Sequence, residues 1–429
     1  MEAGINNLLD LAKDLEKVLD PRQNELIQSV TREATKEDLP LYMVGGFVRD
    51  LILKHEPADF DLVVEGDAIT LGKSIMHKFG GRIVVHPRFM TVQWYPPAKL
   101  SRGKNYSIDL VSTRKETYLH PASLPFVLPG TFKEDLNRRD FTINTLAIRL
   151  DGFWYGTLVD ELGGLEDLRR GIIRVLHPRS FIDDPTRLFR GVRYSQRYGF
   201  EFSKETRSII PSSLSSIQHL SAERIRHEVD LIMGEEGAGG MLDMLGNMKI
   251  LSQVHSKLGW NTEIQHRFEK RVSFPTSERI PAGWILWLIH LSQHEIQEID
   301  LRLHFKAQQR KEILEAAFLW ANERVLINKK SSECTAFLKE YSARSIQCVE
   351  KVSSNKILKE ILHNYLEVWR KVRSKTSGKT LIQLGLPPGP TYQLILDKLR
   401  DGWIDGTVTS VEEEKKLLTH LLKEISWGK

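Results

Sequence analysis

The sequence predicts an α+β protein whose N-terminal head contains a mixed β-sheet and whose remainder is helical. Runs rich in β-branched and aromatic residues, bounded by glycine, proline or charged loops, are concentrated between Leu39 and Leu150. Helical periodicity precedes these runs and fills nearly all of the chain after Ser180. Because 429 residues are too many for one compact core, we expect about two to four domains.

The elements follow in order from this pattern. The first 38 residues are predicted to be helical, since apolar side chains recur there at three- and four-residue intervals. The predicted head strands are "LYMVGG", "DFDLVVE", "RIVVH", "MTVQWY" and "YSIDLVS", and the helices between them are "VRDLILK" and "DAITLGKSIMHKFG". A hairpin is predicted in "FWYGTLVDELGG", and breaks rich in glycine or proline at 234–240, 272–283 and 385–391 divide the helical part.

The composition is that of a soluble globular protein, with 41% hydrophobic and 27% charged residues. No apolar stretch is long enough to cross a membrane, and the N-terminus is acidic and amphipathic, so we expect a cytoplasmic protein with no membrane partner. Cys334 and Cys348 lack metal-ligand spacing and are expected to be reduced thiols. The net charge of +5 does not by itself indicate nucleic acid, but Arg and Lys cluster in particular segments.

The alternating aspartates in "DFDLVV" suggest a metal site. Side chains alternate faces along a strand, so Asp59 and Asp61 point the same way while Phe60 points towards the core. Two such carboxylates repel each other unless a cation lies between them, and hard oxygen ligands suit Mg²⁺. A lone motif of this kind is more often a solvated strand end, but its neighbours here favour a site.

Those neighbours are a glycine pair and a third carboxylate. Gly45 and Gly46 end one strand and open a helix, where backbone amides favour anions. Asp109 stands on another predicted strand, beside the first two aspartates. The glycine turn and the three aspartates together suit the binding of a nucleoside triphosphate and two metal ions. Two such ions, about 3.5–4 Å apart, activate an attacking hydroxyl and stabilise the pyrophosphate that leaves.

The stretch "EDLNRRDFTINTLAI" adds polar groups for the rest of a nucleotide. Arg138 and Arg139 suit phosphates, and Asn144 suits a ribose hydroxyl. Because "DFTINTLAI" begins a helical pattern, Asp140, Thr142 or both are predicted to cap a helix.

The motifs quoted so far, together with "IDLVSTRKETY", resemble the head domain of the class II tRNA nucleotidyltransferases and bacterial poly(A) polymerases, whose palm is polymerase-β-like. Downstream, "LVDELGGLEDLRRGIIRVLHPRSFIDDPTRLFRGVRY" resembles the neck of that family and "LSAERIRHE" its next motif. With the glycine- and proline-rich breaks, the resemblance implies five parts: an N-terminal helical segment (1–38), the head (39–155), the neck (156–233), a helical body (234–328) and a helical, RNA-binding tail (329–429).

The resemblance also implies roles for individual residues. Asp59 and Asp61 become the metal ligands and Asp109 the third catalytic carboxylate. The triphosphate side is implied for Gly45, Gly46, Arg49 and Asp50, and the ribose side for Arg138, Asp140 and Asn144. The implied template for the incoming base is Asp184 with Arg187 in "DDPTR", and Arg190 lies on the same helix in the nucleotide site.

The template pair is chemically plausible. Asp184 can accept a hydrogen bond from the exocyclic amine of cytosine or adenine, and Arg187 can donate to a ring acceptor, whereas uracil and guanine present the wrong pattern. Where many members of the family have Glu, this chain has Asp183. Asp183 or Asp184 is also a candidate cap for the helix whose first turn contains Pro185, and capping by Asp183 is compatible with base reading by Asp184.

Basic side chains in the neck and tail suggest an RNA ligand, expected to be the acceptor arm and 3′ end of tRNA. Arg190, Arg193 and Arg197 recur near helical spacing, which favours a phosphate-facing stripe. The other predicted RNA contacts are Arg370, Lys371, Arg373 and Lys375. Solvated helix faces look the same, but three basic runs in one helical half favour RNA, namely "RLFRGVRYSQRYGF", "KAQQRK" and "WRKVRSKTSGK".

The resemblance leaves alternatives open. A long loop, "KETYLHPASLPFVLPGTFKED", favours an enzyme able to add AMP from ATP, and the sequence leaves open whether it also adds CMP from CTP. A poly(A) polymerase is less favoured because "GGRIVVHPRF" replaces a basic-aromatic signature. A non-catalytic RNA-binding protein is disfavoured because Asp59, Asp61 and Arg187 are all present.

If Asp59 is a metal ligand, the Asp59→Ala protein is expected to fold but to lose nucleotide incorporation, because the remaining carboxylates hold the metal ions poorly. Incorporation of labelled nucleotide into RNA measures the loss, and circular dichroism checks the fold. A folded variant with unchanged incorporation contradicts the role.

Overall fold

The computed structural model describes residues 10–56, 61–101, 107–386 and 389–427. The chain divides into two compact units. The first unit comprises Met1–Glu228 with Asn247–Val254, and the second comprises Val229–Gly246 with His255–Lys429. The predicted fold class is confirmed, since the large sheet belongs to the first unit and helices dominate elsewhere. The division into five parts stays a prediction.

The strands form one seven-stranded sheet and two small two-stranded sheets. They are β1 (Leu41–Val44), β2 (Asp61–Val64), β3 (Arg82–His86), β4 (Thr91–Tyr95), β5 (Ile108–Ser112), β6 (Arg114–Thr117), β7 (Phe126–Pro129), β8 (Ala147–Arg149), β9 (Leu158–Val159), β10 (Ile172–Ile173) and β11 (Glu201–Phe202). The large sheet has the order β3-β4-β5-β2-β1-β8-β9, while β6 pairs with β7 and β10 with β11.

Helices account for most of the remaining structure. The first unit contains α1 (Ala12–Val18), α2 (Pro21–Lys36), α3 (Gly46–Ile52), α4 (Ala68–Phe79), α5 (Ala98–Ser101), α6 (Phe132–Asn137), α7 (Gly164–Arg170), α8 (Ser180–Asp183), α9 (Thr186–Tyr198), α10 (Lys204–Ser213), most of α11 (Ala222–Met233) and α13 (Ile250–Val254). The second contains α12 (Ala238–Asn247), α14 (Thr262–Glu269), α15 (Arg279–Leu288), α16 (Gln293–Leu303), α17 (Ala307–Ala321), α18 (Ser331–Leu338), α19 (Ala343–Val352), α20 (Lys356–Glu367), α21 (Gly378–Gln383), α22 (Pro390–Ile404) and α23 (Val411–Trp427).

The register of the large sheet places two predicted site residues side by side. Strand β2 runs parallel to β5, and Asp61 is the direct partner of Asp109. The other strand pairs of this sheet are antiparallel, which makes the sheet mixed as expected. The interior strand β1 is buried along its whole length and ends at the predicted glycine turn.

Helix α9 packs closely against the head because it carries a glycine at the contact. A Cβ atom on Gly191 would lie 2.8 Å from the Phe202 ring and 3.0 Å from the Phe141 ring. Phe141 also makes an edge contact with the Tyr194 ring, at a centroid distance of 5.9 Å. This packing fixes α9 beside the segment that carries Asp140.

The structure corrects the helix predicted in "DFTINTLAI". Thr142–Asn144 form a single 3₁₀ turn without a side-chain cap, and the chain then continues into strand β8. Neither predicted cap acts as one: Asp140 bonds Arg190, and the Thr142 hydroxyl donates to Asp167. Pairing of β8 with β1 satisfies the backbone along the sheet, which outweighs the local helical pattern.

The predicted hairpin in "FWYGTLVDELGG" is only partly present. Within it, Leu158–Val159 form strand β9, whose partner is β8, outside the predicted stretch.

In the second unit, Trp284 and Trp287 are buried and stacked in the core, and both cysteines are free and buried. Across the described residues, no helix combines the length and the apolar character needed to span a membrane.

Candidate active site

A cavity of ≈ 450 Å³ in the first unit gathers most of the residues predicted from the sequence. It is lined by Gly45, Gly46, Arg49, Asp50, Asp61, Arg138, Asp140, Asn144, Asp184, Arg187, Arg190, Arg193 and Arg197. These residues come from the head sheet, from helix α3, from the turns beside the sheet and from helix α9. Residues far apart in sequence therefore share one polar chamber.

The turn between β1 and α3 requires glycine at its first position. Gly45 has φ of 91°, a conformation that side chains disfavour, and a Cβ there would lie 3.1 Å from the Arg139 guanidinium. The backbone of this turn can therefore line the cavity closely, with Arg139 beside it. Arg139 is itself held by an ion pair with buried Asp135, at 3.0 Å.

Arg49 is fixed from several sides. Its Nε and Nη2 atoms donate to the two carboxylate oxygens of Asp50 at 2.9 and 3.0 Å, and its Nη1 donates to Asn144 Oδ1 at 2.6 Å. The guanidinium also lies over the Tyr194 and Tyr198 rings, and the Tyr198 hydroxyl donates to Asp50 at 2.8 Å. These contacts tie α3 to α9.

Asp140 joins the ribose side of the cavity to α9. Its Oδ1 accepts from Asn144 Nδ2 at 2.9 Å, and its Oδ2 accepts from Arg190 Nε at 2.8 Å. Burial alone would raise the pKa of Asp140, but the Arg190 charge and the Asn144 hydrogen bond outweigh it and lower the pKa to about 2. Asp140 is therefore ionised at neutral pH and orients both neighbours.

The predicted template pair lies at the corner between α8 and α9. Asp184 Oδ1 accepts from the Thr186 amide at 3.1 Å, the Thr186 hydroxyl at 2.7 Å and the Arg224 guanidinium at 2.6 Å. No donor among the described residues bonds its Oδ2, so that oxygen remains available to a ligand. Of the two candidate caps, Asp184 and not Asp183 bonds an amide in the first turn of α9. Asp183 ends α8 and pairs with Arg179.

Arg187 is buried and held from two sides. Its Nη1 donates to Ser180 Oγ and its Nη2 to the Arg138 carbonyl, both at 2.6 Å. Each terminal nitrogen carries a second hydrogen, so the guanidinium can still donate to a ligand in the cavity. Asp184 and Arg187 thus present an acceptor and a donor to the same chamber.

The described carboxylates fit a cation. Asp61 and Asp109 are partners on neighbouring strands, and Asp109 Oδ1 is buried without a hydrogen-bond partner in the described part of the chain. Such an orphaned carboxylate oxygen is the kind of group that a metal ion satisfies. Asp59 lies outside the described residues, within which there is no metal-binding group of three or more His, Cys, Asp or Glu side chains.

A second cavity of ≈ 480 Å³ lies on the Asp109 side. It shares Val44, Asp61, Arg138 and Arg139 with the first cavity, and it also reaches exposed Phe89. Asp61 therefore lines both chambers, one containing the template pair and the other containing Asp109.

Seven cavity residues were absent from the sequence-based assignment: Val44, Phe47, Glu116, Tyr118, Thr186, Tyr194 and Glu228. Glu116 and Tyr118 alternate along β6 and its continuation, so strand periodicity from Arg114 could have indicated a shared face. Tyr194 follows Arg190 by one helical turn, which is also a readable signal. Glu228 comes from a separate helix, α11, and ends the stretch "LSAERIRHE", whose resemblance to a family motif was a signal that could have indicated it.

The predicted RNA contacts fall into two groups. Arg193 is 7% exposed and Arg197 is exposed, and both line the first cavity. Arg370, Lys371, Arg373 and Lys375 are exposed on the second unit. Their RNA-binding roles stay predictions.

Together, the mixed sheet with paired carboxylates and the polar cavity beside it define a nucleotidyltransferase. Comparisons with known proteins agree with this class. Residues 41–174 match the poly A polymerase head domain family, and residues 199–258 match the family described as the probable RNA and SrmB-binding site of polymerase A. The resemblance to the class II tRNA nucleotidyltransferases and bacterial poly(A) polymerases that the motifs indicate is thereby confirmed.

Two curated relatives resemble the chain over most of its length. An A-adding tRNA nucleotidyltransferase of Halalkalibacterium halodurans is 29% identical over 95% of this chain and 94% of its own length. The A-adding tRNA nucleotidyltransferase of Geobacter sulfurreducens is 29% identical over 92% of this chain. That relative is longer, and the match spans 47% of it, about half its length.

Solved structures share the fold. A CCA-adding enzyme in complex with ATP superposes with a TM-score of 0.79 at 26% identity, covering 98% of this chain and 100% of that one. The Thermotoga maritima CCA-adding enzyme in complex with tRNA gives a TM-score of 0.77 at 25% identity, with the same coverage.

The Asp140 contacts predict a pH-dependent contribution to stability. Because folding lowers the pKa of Asp140 from 3.8 to about 2, its stabilisation is present above about pH 4 and is lost as the pH falls towards 2. Relative to Asp140→Asn, the wild type is expected to lose about 2 kcal/mol of unfolding free energy over that range. Urea titrations across the range measure it, with the surface variant Glu166→Gln as control. A constant difference between wild type and Asp140→Asn contradicts the assignment.

Proposed function

We propose that this protein adds AMP from ATP to the 3′ end of tRNA without a nucleic-acid template. The observation that carries the proposal is the cavity in which Asp184 and Arg187 lie in one chamber with Asp61. Two relatives that match most of this chain are A-adding tRNA nucleotidyltransferases, which supports the proposal. So do the ATP and tRNA complexes of the related CCA-adding enzymes.

Base selection is proposed to rest on Asp184 and Arg187. The free Oδ2 of Asp184 accepts from the exocyclic amine of adenine, while Arg187 donates to the neighbouring ring nitrogen. Uracil and guanine place an acceptor and a donor at the corresponding positions, so each would leave both protein groups unpaired. Arg224 and Thr186 hold the Asp184 carboxylate in place, so its orientation is set before the nucleotide binds.

The remaining cavity residues are proposed to hold the sugar and the phosphates. Asn144, oriented by Asp140 and Arg49, faces the ribose, and Arg138 and Arg139 supply positive charge beside the glycine turn. Both arginines retain ion pairs with Asp135. These ion pairs keep the arginines at the wall of the cavity, so their remaining donors are positioned for triphosphate oxygens.

The second cavity is proposed to receive the 3′ end of the RNA. Asp61 lines both chambers, which supports a position for it between the 3′ hydroxyl and the α-phosphate of the nucleotide. Asp61 and Asp109, with Asp59 from the same motif, would hold Mg²⁺. When bound there, Mg²⁺ supplies charge that activates the hydroxyl and stabilises leaving pyrophosphate. The chain's own contribution is to orient the two reactants in line.

The long segment favoured for AMP addition is a structured hairpin. Strands β6 and β7 pair antiparallel, and the residues between them approach the template: the Ala122 carbonyl accepts from Arg224 at 3.1 Å. Arg224 thus contacts both this segment and Asp184. This connection supports a reading in which the hairpin influences base selection, as an enzyme that adds AMP requires.

The proposal is tested by supplying ATP or CTP with three RNAs: a tRNA lacking the whole CCA end, a tRNA lacking only the terminal A, and a generic RNA. AMP addition to the tRNA lacking only the terminal A is the expected result. Addition of CMP to the first tRNA as well identifies a CCA-adding enzyme. Long A tracts on generic RNA identify a poly(A) polymerase, and no incorporation overturns the proposal in favour of a non-catalytic RNA-binding protein.

Replacement of Arg187 is expected to relax base choice more than it weakens tRNA binding. In Arg187→Lys the charge remains but the planar fork is lost, so the preference for ATP over UTP and GTP falls about tenfold to a hundredfold. Single-turnover rates with each nucleotide measure the preference, and filter binding measures tRNA affinity. The exposed pair of Arg170 with Glu166 supplies the control, Arg170→Lys. Unchanged selectivity in Arg187→Lys refutes the template role.

A further inference from the structure

The cavity contains a second carboxylate–guanidinium pair besides the proposed template. Glu228, on α11, and Arg193, on α9, both line the chamber. Their exposed fractions are 6% and 7%, so both side chains are buried in the wall and not solvated at the rim. Buried charges are normally paired through hydrogen bonds, and this pair departs from that rule.

The two groups are close but not hydrogen bonded. Arg193 Nη1 lies 3.9 Å from Glu228 Oε2, whereas Arg190 approaches Asp140 to 2.7 Å. Arg193 Nε and Glu228 Oε2 are buried atoms without a hydrogen-bond partner in the described residues. A buried donor and a buried acceptor are therefore left unsatisfied beside each other, an arrangement that a ligand carrying the complementary groups relieves.

The surroundings of Glu228 favour a donor from a ligand. Burial raises the pKa of Glu228, the charges of Arg190 and Arg193 offset only part of this effect, and Asp184 adds repulsion. Glu228 and Asp184 line the same chamber. A neutral N–H group placed against Glu228 would replace the lost solvation without adding charge.

The chemistry of the two candidate bases defines what such a pair reads. Adenine and cytosine both present an exocyclic amine next to a ring acceptor on their pairing edge, so Asp184 and Arg187 cannot separate them. On the opposite edge, adenine presents a second N6 hydrogen beside the N7 acceptor, whereas cytosine presents its N4 hydrogen beside a C–H group. A carboxylate next to a guanidinium complements the adenine pattern and leaves the guanidinium unpaired against cytosine.

We propose that Glu228 and Arg193 form a second base-reading pair that accepts from the N6 amine and donates to N7 of the adenine of ATP. The pair thereby distinguishes ATP from CTP, a distinction that the template pair does not make. This inference rests on the proposed function and assigns Arg193 to the nucleotide in place of the RNA backbone.

The first test uses the unmodified protein with 7-deaza-ATP, in which a C–H group replaces N7. The expected kcat/KM for AMP transfer to a tRNA lacking the terminal A is about tenfold to a hundredfold lower than with ATP. Equal values with the two nucleotides overturn the proposal. If the protein transfers no AMP at all, the proposed function has failed, and calorimetric affinities for ATP and 7-deaza-ATP then test the pair by itself.

A variant of Arg193 tests whether this side chain makes the contact with N7 of adenine. In Arg193→Lys, the ratio of kcat/KM for ATP to that for 7-deaza-ATP is expected to fall towards one, because Arg193 makes the N7 contact, and the preference for ATP over CTP is expected to fall with it. The matched control is Arg170→Lys in the exposed Glu166–Arg170 pair, which should keep the wild-type ratio. A raised KM for tRNA with an unchanged nucleotide ratio shows that Arg193 contacts RNA, which overturns the inference.

Discussion

The buried carboxylate of Asp140 is the contact on which the candidate site depends. One of its oxygens holds Asn144, which in turn holds Arg49 beside the glycine turn, and the other holds Arg190 on α9. The phosphate side and the base side of the cavity are therefore joined through a single ionised group. Because the Arg190 charge outweighs the cost of burial, Asp140 keeps its charge where a lone carboxylate would be expected to protonate.

The cavity wall shows how buried charge is tolerated near a polar substrate. Most arginines of the site have protein partners: Arg49 with Asp50, Arg139 with Asp135, and Arg190 with Asp140. These pairs fix the geometry in the absence of a nucleotide. Asp109 Oδ1, and the facing atoms of Arg193 and Glu228, lack hydrogen-bond partners among the described residues, which indicates contacts that a ligand would complete.

Local sequence patterns predicted secondary structure correctly where the residues of a segment favour one type of element. They were misleading where pairing with a distant strand competes with the local preference. The strands β1 to β5 appear where β-branched runs predict them, and the glycine turn follows β1 as expected. After Asp140, by contrast, a helical pattern becomes a 3₁₀ turn and a strand, since β8 completes the sheet beside β1. Likewise Asp184, and not Asp183, takes the capping contact, because Asp183 already belongs to α8.

By itself the sequence determined the fold class, the family resemblance and most residues of the cavity, because these are recorded in strand and helix periodicity and in motifs a few residues long. Only the tertiary structure decided that Asp61 and Asp109 are direct partners, that Arg224 links the β6–β7 hairpin to Asp184, and that Glu228 faces Arg193. These contacts join residues that lie about 35 to 100 positions apart in the chain, and no local periodicity encodes which distant side chains meet once the core has formed.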